Sequence, residues 1–169
     1  MKLKITFYKK LLIVICVFQI IGCSKKDKTI QKDVNNYYSI YKERKDLDAF
    51  LNYYNENIVL EDIVNGDKII GKEKLTAFFN WNVEGLKMLS KQSLVITEQI
   101  IENKKVVTKG YFTPFEWSGV KFEAMHFTTI LIFNDKNKII KHIDWINYPS
   151  TLINYHNRND SNKWLIDSH

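Results

Sequence analysis

The chain has 169 residues, a length that fits one domain and hardly two. Hydrophobic residues make up 45% and aromatic residues 14%, with only six Gly and two Pro, which excludes wholesale disorder and low-complexity sequence. The formal charge of +6 invites a nucleic-acid partner, but four of the lysines (Lys2, Lys4, Lys9 and Lys10) sit in the first ten residues, and no acid accompanies them.

Those ten residues, MKLKITFYKK, form a basic stretch ahead of the apolar run LLIVICVFQII. The run is too short to span a bilayer comfortably and has the order of a secretory leader. It ends in Ile20-Ile21-Gly22-Cys23, which resembles a bacterial lipobox. The resemblance implies cleavage after Gly22, so that residues 1–22 are a signal peptide, and lipid attachment at Cys23. The expected location is the bacterial cell envelope, on an outer-membrane or periplasmic surface, with the membrane as a partner through lipidated Cys23. Removing the leader takes away its four lysines and reduces the charge from +6 to +2. No clustered positive face is then expected, and nucleic acid is excluded as a partner. Cys16 leaves with the leader and Cys23 carries lipid, so no thiol remains for a disulfide or a metal site.

Residues 23–32 are polar and read as a tether between anchor and domain. From Asp33 the pattern turns helical, with Val34, Tyr37, Tyr38 and Tyr41 on one stripe. Lys42 to Lys45 is a charged connection. Asp46 is a candidate N-cap, Asp48 suits the positive end of a helix dipole, and Leu47, Phe50, Leu51 and Tyr54 predict a second short helix. Asn57 to Val64 is an extended run, and Asn65-Gly66-Asp67-Lys68 supplies a turn. Gly71 to about Leu89 reads as a third helix carrying Leu75, Phe78, Phe79, Leu86 and Leu89.

The second half reads as strands. Ser93 to Glu102, Lys105 to Trp117, Val120 to Phe133 and Ile139 to Pro149 are separated by short turn signals, which predicts an antiparallel meander. Long strands of this kind curve, and helices over the concave face enclose a pocket. The domain is therefore placed at residues 33–150, with a polar C-terminal tail at 151–169.

This order of elements carries a family likeness. The likeness lies in the two early helices, the stretch Glu61-Asp62, Val64, Gly66, Gly71, Glu73, Leu75 and Phe78-Phe79, and the four-strand meander. Together they resemble the nuclear transport factor 2 superfamily, and within it the SnoaL-like and ketosteroid-isomerase-like members. The resemblance implies an α+β, cone-shaped NTF2-like fold, with a strongly curved antiparallel β-sheet wrapped around three N-terminal helices. It also implies a small-molecule pocket, and homodimers through the outer sheet face. In ketosteroid-isomerase-like members a first-helix tyrosine donates to an oxyanion, and an aspartate after the second helix shuttles the proton. Those positions fall on Tyr38 and Asp62. The third group, an acid on the penultimate strand, is replaced here by Thr129, a departure from the steroid isomerases. SnoaL-like cyclases instead carry a carboxylate on the final strands, often near a histidine, for which Asp144 and His126 are the candidates. The Asp-Arg-Asp relay of limonene-epoxide-hydrolase-like members is not expected, because Arg44 and Arg158 fall in the charged connection and the tail.

Residue chemistry leaves each role open at this level. Asp62 is either a carboxylate raised in pKa by an apolar pocket or a solvated residue before a turn. Tyr38 is a pocket donor or a core tyrosine. Asp144 stands between Ile143 and Trp145, and strand alternation puts it on one face with His142 and Ile146. His126 joins that face if Thr128 pairs with Asp144, and leaves it if the register slips by one residue. Trp81, Phe115, Trp117 and Met125 are candidate pocket walls. The four histidines are scattered and form neither H-x-H nor H-E-x-x-H, and no phosphate-cradling glycine loop occurs, so no metal and no cofactor are expected. Two functions follow. One is cofactor-free acid/base chemistry of the isomerase, cyclase or dehydratase type on a small, largely apolar molecule. The other is a non-catalytic ligand-binding or interaction module of the envelope.

Overall fold

The computed structural model describes residues 28–152. The leader, Cys23 and most of the tail lie outside the described residues.

The first helix, α1 (28–43), is already helical at residue 28, and Ile30 is buried. The domain therefore begins before Asp33, inside the stretch expected to be tether. Ile30, Val34, Tyr37 and Tyr38 form its buried stripe. Asp46 caps α2 (Leu47–Leu51) by accepting from the Ala49 amide at 2.8 Å. This short helix lacks a nucleus of its own. It is held by Phe50, whose ring stacks on Tyr37 with centroids 4.9 Å apart. Complete burial of a Phe side chain contributes about 1.5–3 kcal/mol.

The chain then enters β1 (Tyr54–Asp62), which turns back through residues 63–66 into β2 (Asp67–Ile70). The second strand of this hairpin was not expected from the sequence. Gly71, at φ 93, leads into α3 (Lys72–Phe79). This helix is shorter than the predicted Gly71–Leu89 span. Leu86 and Leu89 sit at helical intervals from Phe79, but Asn80, Asn82 and Gly85 intervene, and these residue types favour turns over helix. Leu86 instead belongs to a small strand, β3 (Leu86–Met88).

Two long strands of the expected meander are also broken. Between β4 (Leu94–Glu102) and β5 (Lys105–Phe112) the turn has both central residues left-handed, Asn103 at φ 47 and Lys104 at φ 64, the geometry that matches strand twist. After β5, Thr113-Pro114 interrupts pairing, because proline offers no amide to a ladder. The short strands β6 (Phe115–Trp117) and β7 (Val120–Phe122) then form a separate sheet with β3, in the order β3-β6-β7. The chain rejoins the main sheet as β8 (Met125–Phe133) and β9 (Ile139–Ile146).

The main sheet has six strands in the order β2-β1-β9-β8-β5-β4. It is antiparallel throughout except where β1 lies parallel to β9, so the sheet is mixed. That pairing sets Leu60 beside His142 and Asp62 beside Asp144. Curvature has a local cause on β4, where a bulge falls between Ile96 and Glu98. Opposite it, Gly110 admits the Val95 carbonyl so closely that a Cβ would lie 2.2 Å from that oxygen. The end of α1 is tied to this strand, because the Ser93 amide donates to the Lys42 carbonyl and its hydroxyl to the Tyr41 carbonyl, each at 2.8 Å. Three helices, a bent sheet and the small second sheet thus form an α+β cone.

Candidate active site

The cone holds a cavity of about 300 Å³, at the small end of the ~300–1,000 Å³ range of ligand sites. Apolar walls come from Phe79 of α3, Phe112 of β5, Phe115 of β6, Met125 of β8 and Ile146 of β9. The polar groups reaching it include Tyr41, Arg44, Asp144 and Tyr148.

Strand alternation on β9 turns His142, Asp144 and Ile146 inward. Asp144 is 6% exposed, and an acid that deep needs partners. Thr129, directly opposite on β8, donates its hydroxyl to Asp144 Oδ1. His142 Nε2 stands 2.9 Å from Asp144 Oδ2. The ring is off the line of a hydrogen bond, so this contact acts through charge and dipole. Behind the histidine the chain of polar groups continues. Tyr54 Oη is 2.8 Å from His142 Nδ1, and Tyr37 Oη is 2.7 Å from Tyr54 Oη. One assignment of protons fits the hydrogen-bonded part of the row: Tyr37 donates to Tyr54 and Tyr54 donates to Nδ1, which leaves the ring proton on Nε2, on the Asp144 side but off the hydrogen-bond line. Burial raises the pKa of both tyrosines well above the usual phenol value, which keeps both hydroxyls protonated. Asp144 is thus a carboxylate bordering an apolar cavity, backed by a row of buried hydroxyls and an imidazole.

Asp62 is 1% exposed but does not line the cavity. Its Oδ1 accepts from the Asn65 amide at 3.0 Å, and its Oδ2 accepts from the Tyr148 hydroxyl at 2.6 Å. Burial raises its pKa above the usual carboxylate value. The Tyr148 and Asn65 hydrogen bonds oppose that rise, and the charges of Asp144 and Asp67 add to it. Tyr148 itself is raised far above a normal phenol, by burial first and then by the Asp62 charge. Asp62 therefore touches the cavity wall only through its hydrogen bond to Tyr148, a residue that follows the last strand and was missed in the sequence. The signal was an aromatic immediately before Pro149, where the chain stops pairing.

The structure distributes the other candidates. Trp81, Phe115, Trp117, Met125 and Ile146 line the cavity together with Asp144. Thr129 and His142 contact Asp144 from behind. Tyr38 is buried in the core, with its hydroxyl beside those of Thr108 and Thr129. It does not line the cavity, so the expected pairing of Tyr38 with Asp62 is not formed. Tyr41, one helical turn on, lines the wall instead. For His126 the register decides. Thr129, not Thr128, pairs with Asp144, so His126 projects from the outer face, exposed, with its ring near Tyr111. Arg44 also moves. It lies in the cavity wall rather than on a solvated connection.

A family model described as a SnoaL-like domain matches residues 34–142. No curated protein matches the sequence significantly. Among solved structures, a SnoaL-like protein from Shewanella putrefaciens CN-32 superposes with a TM-score of 0.59 at 19% identity, covering 71% of this chain and 90% of that one. An LEH-like epoxide hydrolase of M. tuberculosis gives 0.58 at 11% identity, covering 72% and 84%. A protein with ketosteroid isomerase-like fold from Catenulispora acidiphila DSM 44928, solved with trimethylamine, gives 0.56 at 14% identity, covering 71% and 87%. At these identities the structural likeness speaks to the fold, and the family match covers well over half of the sequence. The chain belongs to the SnoaL-like domain family, on the nuclear transport factor 2-like fold.

Proposed function

We propose that the domain binds a small, mostly apolar molecule in its cone and moves a proton on it without a cofactor, in chemistry of the isomerase, cyclase or dehydratase type. One observation carries this reading: the Asp144 carboxylate borders the apolar cavity with Thr129 and His142 fixed behind it. A carboxylate held this way accepts a proton from carbon next to a carbonyl and returns it at a second position. The hydroxyl donated by Thr129 and the imidazole hold the charge in one orientation. On the opposite wall Tyr41 lies beside the same space, and burial keeps its phenol protonated. In this reading it donates to the oxygen that gains charge in the transition state.

The test is deuterium exchange into a panel of small apolar ketones, followed by NMR. Wild-type protein should accelerate exchange of at least one, and Asp144→Asn should reduce the rate about 10²–10⁴-fold. Exchange at the wild-type rate in Asp144→Asn would remove the carboxylate from the mechanism.

We also propose that the mature protein is held in the bacterial envelope by lipid on Cys23, supported by the order of basic stretch, apolar run and lipobox-like residues. Palmitate labelling should vanish in Cys23→Ser, and labelling that persists would end this proposal. A second reading, an interaction module, draws on the outer face of the sheet. Ile143, Ile130, Val107 and Ile100 pair in one continuous row across four strands. Opposite charges flank it, Glu98 against Lys109 and Glu102 against Lys105. A second copy is the partner proposed for this face, because a two-fold axis can bring the apolar row onto itself.

A further inference from the structure

We infer that the molecule taken into the cavity is an apolar carboxylic acid, bound with its carboxylate on Arg44 and its apolar body reaching toward Asp144. This rests on the reading of the cavity as the ligand site, and it names the class of ligand. Three observations support it. First, Arg44 lines an otherwise mostly apolar cavity, and among the described residues no carboxylate forms an ion pair with it. Its guanidinium lies against an aromatic face, with Cζ 5.8 Å from the Trp81 ring centroid. A half-buried guanidinium keeps several N–H donors that an aromatic face does not satisfy, and their planar fork matches a carboxylate.

Second, Arg44 is built into its place. Its amide closes α1 by donating to the Ile40 carbonyl at 3.0 Å. Its backbone is left-handed, at φ 49, in the position after a helix where Gly or Asn is least strained. An arginine there accepts backbone strain, and the conformation sets its side chain against Trp81. Trp81 in turn stacks on Tyr41, with planes 10° apart, so the cation rests on an aromatic pair.

Third, the cavity wall carries a cation and an acid, Arg44 and Asp144. Tyr41 lies within electrostatic reach of both Asp144 and Arg44 and feels them with opposite sign. The two charges do not pair with each other. An anionic ligand is repelled by Asp144 and attracted by Arg44, which fixes its direction and presents its far end to the carboxylate. The cavity of about 300 Å³ limits this acid to a small one.

A different explanation is local: a cation at the end of α1 stabilises the helix dipole. The two separate by experiment. Calorimetric titration compares 4-phenylbutanoate with its neutral amide, 4-phenylbutanamide, on the folded domain. Wild type should bind the carboxylate at least about tenfold more tightly, a difference of ~1.4 kcal/mol. Arg44→Gln should abolish the preference and leave amide binding within about twofold. Arg44→Lys carries the same backbone strain but keeps the charge, and should retain part of the preference. Asp144→Asn, which removes the repelling charge, should keep the preference or increase it. Equal binding of both probes to wild type, a preference that survives in Arg44→Gln, or no binding of either at millimolar concentration would each overturn the inference. Because the readout is binding, a domain that prefers the carboxylate yet exchanges no protons would refute the acid/base chemistry and leave the ligand class standing.

Discussion

On β8 the side chains of Phe127, Thr129, Leu131 and Phe133 enter the core, while their neighbours Thr128, Ile130 and Ile132 face outward. The two faces of the sheet are made by the same strands, and each departs from the rule of apolar inside and polar outside. The inner face buries Asp62, Thr108, Thr129, His142 and Asp144 among its aromatics. The outer face leaves Ile100 56% and Trp145 41% exposed. A buried acid costs desolvation energy and an exposed isoleucine forgoes burial, so neither is explained by folding alone. Adjacent residues show the contrast most closely. Glu61, also buried, lies on the other side of the strand and pairs with Lys141 at 2.6 Å, whereas Asp62 turns inward to Tyr148. The inner departures concentrate around one cavity and imply chemistry. The outer ones spread along a flat row and imply a partner.

The contrast can be broken at several points. After the large activity loss expected for Asp144→Asn, the next largest effect is on stability. Leu131→Ala empties a fully buried site and should cost about 2–5 kcal/mol. Ile130→Ala, one residue away on the other face, should cost about 1 kcal/mol. Urea unfolding of the two variants decides whether the faces differ as described, and equal losses would contradict it.

Within the inner face, Tyr54→Phe removes the middle of the row from Tyr37 to His142 and leaves a buried hydroxyl and a ring nitrogen unpaired. A loss of about 1–3 kcal/mol is expected in the same unfolding assay. A loss no larger than that of an exposed substitution would show that the row is not a connected network.

Asp62 supplies a dependence on pH. Its folded pKa is raised, so the native state holds this proton more tightly than the unfolded chain does. The Asp62 contribution should therefore favour folding below the usual carboxylate pKa. It should weaken as pH rises from there through the raised value. Asp62→Asn should remove that decline from a series of unfolding curves between mildly acidic and neutral pH, and an unchanged slope would assign the decline to other groups.

The smallest effect on stability belongs to the outer row. Ile100→Lys, at the most exposed position of the row, should change the unfolding free energy of the monomer by no more than about 0.5 kcal/mol. Sedimentation should nevertheless show loss of any dimer, and a dimer that survives would place the interface elsewhere.

Much of the fold was legible in the sequence. The helix stripe from Val34 to Tyr41, the Asp46 cap and the alternation on β8 and β9 are local patterns, each imposed by its own stretch of chain. What went unread involved competition between distant segments. The Gly71–Leu89 span kept helical spacing, yet Leu86 found Trp117 as a strand partner and the helix ended at Phe79. In the site, alternation put Asp144, His142 and Ile146 on one face. It could not fix whether Thr128 or Thr129 stood opposite Asp144, and that one-residue choice sent His126 outside. Tyr38 and Tyr41 share a helix stripe, and only packing decides which of them meets the cavity and which the core.

The amino-acid sequence alone carried the family, the first helices, the long strands and the types of residue available for chemistry, because periodicity and turn residues act over a few positions. The tertiary structure decided which of those residues meet. The parallel pairing of β1 with β9 set Asp62 beside Asp144. The return of the chain after β9 gave Asp62 its partner Tyr148. The left-handed end of α1 turned Arg44 toward Trp81. Each of these joins segments far apart in the chain or depends on one backbone angle, and burial in the folded cone stabilises it where no local preference does.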